Sequence, residues 1–166
     1  MSETKRRLES LPEDVLAACA EVFSVLPIEA AMPDLVPRSP AKQEAVEAVA
    51  RAVSTDAVAS RPELVAGLWL YVDELDRSHT VSQNLHTPSG SFWHAIMHRR
   101  EGDFGNSLYW VAQTGEHPVW SEIEGYEPRA FVEACRRSHR HNPTELVDRQ
   151  RDEWAALFAH CARLGR

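Results

Sequence analysis

Apolar residues recur at helical spacing along most of this chain, and no run alternates convincingly between apolar and polar residues at a period of two. Spacings of three and four place side chains on one face of an α-helix, whereas a half-buried strand requires alternation. Leu64, Leu68, Val72 and Leu75 form the strongest such stripe. We therefore expect an all-α fold, a compact bundle of about six or seven helices arranged as antiparallel hairpins.

Chain length and the positions of proline and glycine predict the organisation of the bundle. A chain of 166 residues is long enough for a single domain with a real core, here residues 1–166. We expect a flexible N-terminus over residues 1–9 and an irregular connector over residues 27–40, which contain four prolines. One long helix is predicted over 61–86 and a short one over 92–101, separated by the breaking run TPSGS. The remaining predicted helices start near Ser10, Ser39, Asp103, Glu127 and Asn142, with a loop over residues 116–127.

Charge and cysteine content exclude several classes of protein. The formal net charge is −7, which argues against a nucleic-acid partner. No window holds 18 apolar residues, so no membrane span is expected, and no secretion signal is visible. Cys19, Cys135 and Cys161 are widely spaced, as is typical of reduced thiols, and we expect a cytoplasmic protein. The sequence does not indicate an oligomeric state, and phosphate-loop, dinucleotide-binding, zinc-protease and serine-hydrolase motifs are absent.

One constellation of polar residues could carry chemistry. On a helix at 100° per residue, His94, His98 and Glu101 share one narrow strip. Residues three or four apart on a helix lie about 5–6 Å apart at Cβ, close enough to share one ion. Two imidazoles and a carboxylate are a common ligand set for zinc or non-haem iron.

The preceding helix carries a similar set at a matching distance from the turn. Asp76 and His79 are three residues apart, and Gln83 continues their strip. His79 lies about ten residues before the turn and His98 about nine after it. In an antiparallel hairpin the two imidazoles should therefore lie at nearly the same level, as in metal sites built from facing helices.

These positions predict a site for zinc or iron, or for a small-molecule ligand, between the two helices. The expected metal ligands are His79, His94, His98 and Glu101, and Glu101 or Asp76 could act as the base in hydrolysis. The expected ligand-binding neighbours are Gln83, Arg99, Asn106, Tyr109, Trp93 and Trp110. A purely structural network, with His79 a buried neutral histidine bonded to a carboxylate or a carbonyl group, remains an open alternative.

Residues 94–118 resemble a single tetratricopeptide-type helical hairpin. Gly102-Asp103-Phe104 matches the turn of that family, Ser107 stands near its small-residue position and Pro118 near its terminal proline. His98 stands where the family usually has an aromatic residue. Stable arrays need about three or more repeats, so the resemblance implies two packed antiparallel helices. It also leaves open a non-catalytic module that docks a partner helix or peptide.

Overall fold

The described part of the protein is built from α-helices alone. The computed structural model describes residues 1–164, which contain eleven helices and no strand. The helices are α1 (Glu3–Glu9), α2 (Glu13–Val25), α3 (Gln43–Ala52), α4 (Asp56–Ala59), α5 (Pro62–Tyr71), α6 (Leu75–Ser82), α7 (Pro88–Arg100), α8 (Phe104–Thr114), α9 (Val119–Glu122), α10 (Pro128–Ser138) and α11 (Thr144–Arg163). The predicted all-α class is confirmed. The helices outnumber the six or seven expected because short helices form at the N-terminus and in two connections, and because one predicted long helix is divided.

Helix α7 lies at the centre of the fold. Every residue from 92 to 100 is buried. The ring of Trp93 lies 6.3 Å from that of Trp154 on α11, and the indole N–H of Trp154 donates to the carbonyl oxygen of Gly67 on α5 over 2.8 Å. A Cβ at Gly67 would lie 2.8 Å from Trp93 Cζ2, so the missing side chain lets α5 and α7 approach closely. Helices α5, α7 and α11 therefore share one core.

The predicted helix over 61–86 is divided into α5 and α6, which corrects the sequence-based expectation. Residues 66 and 78 would be about 18 Å apart on one continuous helix. Instead, Ser78 Oγ donates to the carbonyl oxygen of Ala66 over 2.9 Å, so α6 turns back against α5. Asp73 lies at the break with a φ of 64°. Arg100 stabilises this turn by donating to the Asp73 carboxylate and to the carbonyl oxygen of Leu70.

Helix α7 begins four residues earlier than the sequence predicts. The run TPSGS, expected to break the chain, forms the start of the helix, with Thr87 as its N-cap. Thr87 Oγ1 accepts from the backbone N–H of Gly90 over 3.0 Å. A Cβ at Gly90 would lie 2.6 Å from the carbonyl oxygen of Leu85, so only glycine fits this close approach. The short connection between α6 and α7 depends on that contact.

The N-terminal segment adopts a helix that the sequence pattern does not predict. Helix α1 contacts α11, buries Leu8 and places Arg7 Nε 3.1 Å from Asp152 Oδ1. These contacts span most of the sequence, so local pattern gives no sign of them.

Residues 27–40 contain no helix and are fixed by side chains from distant elements. Met32 and Leu35 are buried. Gln150 Nε2 donates to the carbonyl oxygens of Met32 and Asp34 over 3.2 and 3.1 Å, and the Asn142 side chain accepts from the Leu35 N–H over 2.9 Å. The connector is therefore packed against α11 and the residues just before it.

Helices α7 and α8 pack closely against each other. Gly102 has a φ of 85°, a conformation that favours glycine, and it lies in the two-residue connection after Glu101. Ser107 Oγ donates to the carbonyl oxygen of Ala95 over 2.7 Å, so this small side chain lies directly against α7. Within residues 1–164, no helix has both the length and the apolar character needed to cross a membrane.

Candidate metal centre

Three histidines meet between α6 and α7. His79 lies on α6, and His94 and His98 lie one turn apart on α7. The ring centroid of His79 is 4.9 Å from that of His94 and 5.4 Å from that of His98, and the rings of His94 and His98 are 4.8 Å apart. One ligand atom from each residue lies within 4.8 Å of the other two. The prediction that His79 and His98 lie at the same level is confirmed.

The ring nitrogens of this three-histidine cluster are largely without protein partners. Both nitrogens of His94 are buried and accept or donate no hydrogen bond within the described residues. His79, which is half-buried, is engaged there through ring contacts alone. A buried polar group without a partner normally costs about 1–3 kcal/mol. The arrangement therefore resembles a binding site more than the closed network that the alternative hypothesis requires.

The chemistry of His94 favours the neutral imidazole. Its side chain is only 4% exposed, and the ring of Trp110 stacks on it at 3.9 Å. Burial lowers the pKa of His94 to about 4, with further lowering from the neighbouring His98 and His79. A neutral imidazole is the form that coordinates a metal.

Glu101 contacts the cluster through one histidine. Its Oε1 lies 2.7 Å from His98 Nδ1, at the C-terminal end of α7. Asp103 follows, and its ligand atom lies within 4.8 Å of those of His98 and Glu101. Both carboxylate oxygens of Asp103 already accept hydrogen bonds, from the backbone N–H and the side-chain amide of Asn106, so Asp103 caps α8.

The other predicted site residues divide into three groups. Asp76 and Gln83 are exposed, and among the residues described neither side chain forms a hydrogen bond or an ion pair. Tyr109 is 55% exposed and lies edge-on to Trp110, and among the described residues it makes no ring contact with the three histidines. Trp93 is buried in the core, beside Trp154. The structure thus brings Trp110 and Glu101 to the three histidines and leaves the others outside.

Arg99 is a structural residue in this arrangement. It is 2% exposed, and its guanidinium makes a paired contact with the buried carboxylate of Glu153 on α11, at 2.9 and 2.8 Å. Its guanidinium also lies over the ring of Phe131, 4.5 Å from the centroid. The sequence indicates that an arginine in an apolar arc needs a partner, but it does not identify Glu153, which is 54 positions away.

Sequence reasoning missed a second pair of histidines. The rings of His117 and His160 lie 4.8 Å apart, and Ser89 Oγ lies 2.9 Å from His117 Nε2. His117 Nδ1 accepts from the backbone N–H of Val119, so in the neutral ring the proton is on Nε2 and is donated to Ser89. A base for a serine nucleophile requires the opposite polarity, so this pair is not a nucleophile–base pair. No local motif joins residues 89, 117 and 160.

The cysteines are equally unsuited to nucleophilic chemistry. Cys19, Cys135 and Cys161 are all buried and free. Burial raises the pKa of Cys19 and Cys161 to about 12 and that of Cys135 to about 11, so the reactive thiolate is not formed near neutral pH.

Comparisons with protein-family models, with curated proteins and with solved structures found no match to this chain.

Proposed function

We propose that the protein binds a divalent transition-metal ion between α6 and α7, with His79, His94 and His98 as ligands. The observation that carries this proposal is the pair of buried, unpartnered nitrogens on His94, next to two further imidazoles. A metal ion bound at one of these nitrogens would give that atom a partner that no other residue within 1–164 supplies. Metal binding would also offset the free-energy cost of burying the imidazole nitrogens away from water.

The spacing of the ligand atoms suits one ion after a small adjustment. Imidazole nitrogens bind zinc at about 2.0–2.1 Å in a tetrahedral arrangement, which places them about 3.3 Å from each other. The ligand atoms of the three residues lie within 4.8 Å of one another. Rotations of the rings about their side-chain bonds would close that difference. Three nitrogen donors favour zinc or iron over magnesium, which prefers oxygen.

A hydrolytic function follows from this ligand set. Three protein ligands are typical of catalytic zinc sites, which keep a fourth position for water. Neutral imidazoles leave the charge of the ion undiminished, so the metal would lower the pKa of that water and supply a nucleophile near neutral pH. His79 is the least buried of the three histidines, so its side of the cluster is where a substrate could approach.

The test is calorimetric titration of Zn²⁺ into the metal-free protein and matched variants. We expect one ion per chain with micromolar or tighter affinity, and at least a tenfold loss of affinity in His79→Ala, His94→Ala and His98→Ala. His160→Ala is the matched control, because this histidine contacts His117 and lies outside the cluster. Wild-type protein that binds neither zinc nor iron would contradict the proposal, and so would binding that survives loss of both His94 and His98.

Fluorescence locates the ion independently. Co²⁺ quenches nearby indoles, and Trp110 stacks directly on His94. We expect Co²⁺ to quench the emission of wild-type protein and Trp110→Phe to lose most of that quenching. Hydrolysis is checked with a p-nitrophenyl ester: activity should be sensitive to chelators and absent from His94→Ala.

A further inference from the structure

We propose that Glu101 is a positioning residue for the metal centre: it fixes the tautomer of His98 so that Nε2 is the nitrogen presented to the ion. The inference rests on the proposed metal site and assigns Glu101 a role different from that of a ligand. It follows from one hydrogen bond, from the acid–base chemistry of imidazole and from the contrast with the other two histidines.

The hydrogen bond determines where the proton lies. Glu101 Oε1 is 2.7 Å from His98 Nδ1. An ionised carboxylate can only accept, so the hydrogen between these atoms belongs to Nδ1. A neutral imidazole carries a single ring proton, and Nε2 is then left with a free lone pair. No hydrogen bond involves Nε2 within residues 1–164.

The position of Glu101 holds this contact in place. His98 lies in the last turn of α7 and Glu101 is the residue that caps it, with its backbone N–H bonded to the carbonyl oxygen of Met97 over 3.0 Å. The carboxylate is therefore attached to the same helix as the imidazole, three residues further on. His98 is 8% exposed, so its ring is also confined by packing.

The alternative role for Glu101 is as a ligand in a second donor set. The ligand atoms of His98, Glu101 and Asp103 lie within 4.8 Å of one another. However, both oxygens of Asp103 are engaged by Asn106, and Nδ1 of His98 is occupied by the proton shared with Glu101. A metal there would have to displace all three bonds, whereas the three-histidine cluster has free nitrogens. Carboxylate–histidine pairs of this kind commonly orient metal-binding imidazoles.

His98 is therefore the ligand that is organised before the metal arrives. His79 and His94 have no comparable carboxylate partner within the part of the chain described. Without the Glu101 carboxylate, His98 should no longer be held in the Nδ1-protonated tautomer, whereas the other two imidazoles should not move. A change in the His98 tautomer distinguishes an orienting role of Glu101 from the simple loss of one negative charge.

The first measurement is made on the metal-free protein. Nitrogen-15 NMR distinguishes the two tautomers of each histidine. We expect His98 in the wild type to carry its proton on Nδ1, Glu101→Ala to shift it towards the Nε2-protonated form, and Glu101→Gln to retain the native tautomer, because the amide oxygen still accepts. A His98 that carries its proton on Nε2 in the wild type would overturn the proposal.

The second measurement is Zn²⁺ affinity, with Asp76→Ala as the control. Asp76 is an exposed acid on the facing helix without a side-chain hydrogen bond in the described structure, so its loss changes net charge equally. Glu101→Ala should lower the affinity about 10–100-fold, Glu101→Gln should lower it less, and Asp76→Ala should change it less than about threefold.

The outcomes separate this inference from the proposed function. Zinc binding in the wild type, with Glu101→Ala no weaker than Asp76→Ala, would overturn the positioning role and leave the metal site standing. Two zinc ions per chain, reduced to one by Glu101→Ala, would make Glu101 a ligand and would also overturn it. A wild type that binds no metal would remove the proposed function itself, whatever tautomer NMR reports for His98.

Discussion

Replacing Glu153 with leucine should destabilise the protein strongly, because it leaves a charged guanidinium buried without a counter-ion. Glu153 and Arg99 are 0% and 2% exposed, and two hydrogen bonds of 2.9 and 2.8 Å join them. The hydroxyl of Tyr126 also donates to Glu153. Breaking a buried pair from one side costs about 3–5 kcal/mol. For a chain of this size each kcal/mol lowers Tm by about 2–4 °C, so we expect a decrease of about 6–20 °C.

The assay is a double-mutant cycle by thermal melting at pH 7. Glu153→Leu and Arg99→Met should each lower Tm, whereas the double variant should recover most of the loss, because replacing both charges by apolar groups is often close to neutral. The recovery will be incomplete, since the Tyr126 hydroxyl loses its acceptor, at a cost of about 1–3 kcal/mol. A Glu153→Leu protein that melts within about 2 °C of wild type would refute the reasoning, and so would a double variant that is as unstable as the sum of the two single variants.

Two further predictions concern the start of α7 and the second histidine pair. Gly90→Ala should lower the free energy of unfolding, measured in urea, by about 1–3 kcal/mol, because its Cβ would lie 2.6 Å from the carbonyl oxygen of Leu85. Gly105→Ala is the control and should not lower it, because a Cβ at Gly105 meets open space. Equal losses in the two variants would contradict the proposed clash at Gly90. Burial, with a smaller effect of a neighbouring histidine, lowers the pKa of His117 to about 4 from 6.5. The unfolded chain therefore takes up this proton first, and the stability that neutral His117 contributes is complete above about pH 6.5 and is lost as pH falls towards 4. Across that range Tm should fall less steeply with decreasing pH for His117→Gln than for wild type. Equal slopes of Tm against pH would exclude His117 as the origin of the pH dependence.

The placement of His94 and His98 on one face of a helix could be predicted because it depends on local sequence. Helical spacing places His94 and His98 on one strip. The approach of His79 was predicted from equal distances to the TPSGS run, but the chain turns earlier, over residues 83–87. In the structure His79 lies three residues before the end of α6 and His98 ten residues after the start of α7, so the rings meet although the equal distances assumed for the turn do not hold. The pairing of α7 with α8 follows similarly from a short glycine-containing connection.

What could not be predicted depends on contacts between distant parts of the chain. The break after α5 has no breaker of its own: Asp73 adopts a positive φ and is held by Arg100, 27 positions away. The contact between Glu101 and His98 is local in sequence, yet a spacing of three fits a ligand and an orienting partner equally well. Only the observation that the carboxylate lies against Nδ1 favours the second role.

The last turn of α7 shows why the candidate centre depends on the whole fold. Consecutive residues on a helix point about 100° apart, so His98, Arg99 and Arg100 face three different neighbours. His98 faces α6, Arg99 binds Glu153 on α11, and Arg100 binds Asp73 at the turn that directs α6. Neither arginine contacts the imidazole cluster through a hydrogen bond within the described residues, yet together they fix both helices that carry it. Both arginines are buried on the helix that carries His94 and His98, and moving this helix would break the fully buried Arg99–Glu153 pair and the partly exposed Arg100–Asp73 pair.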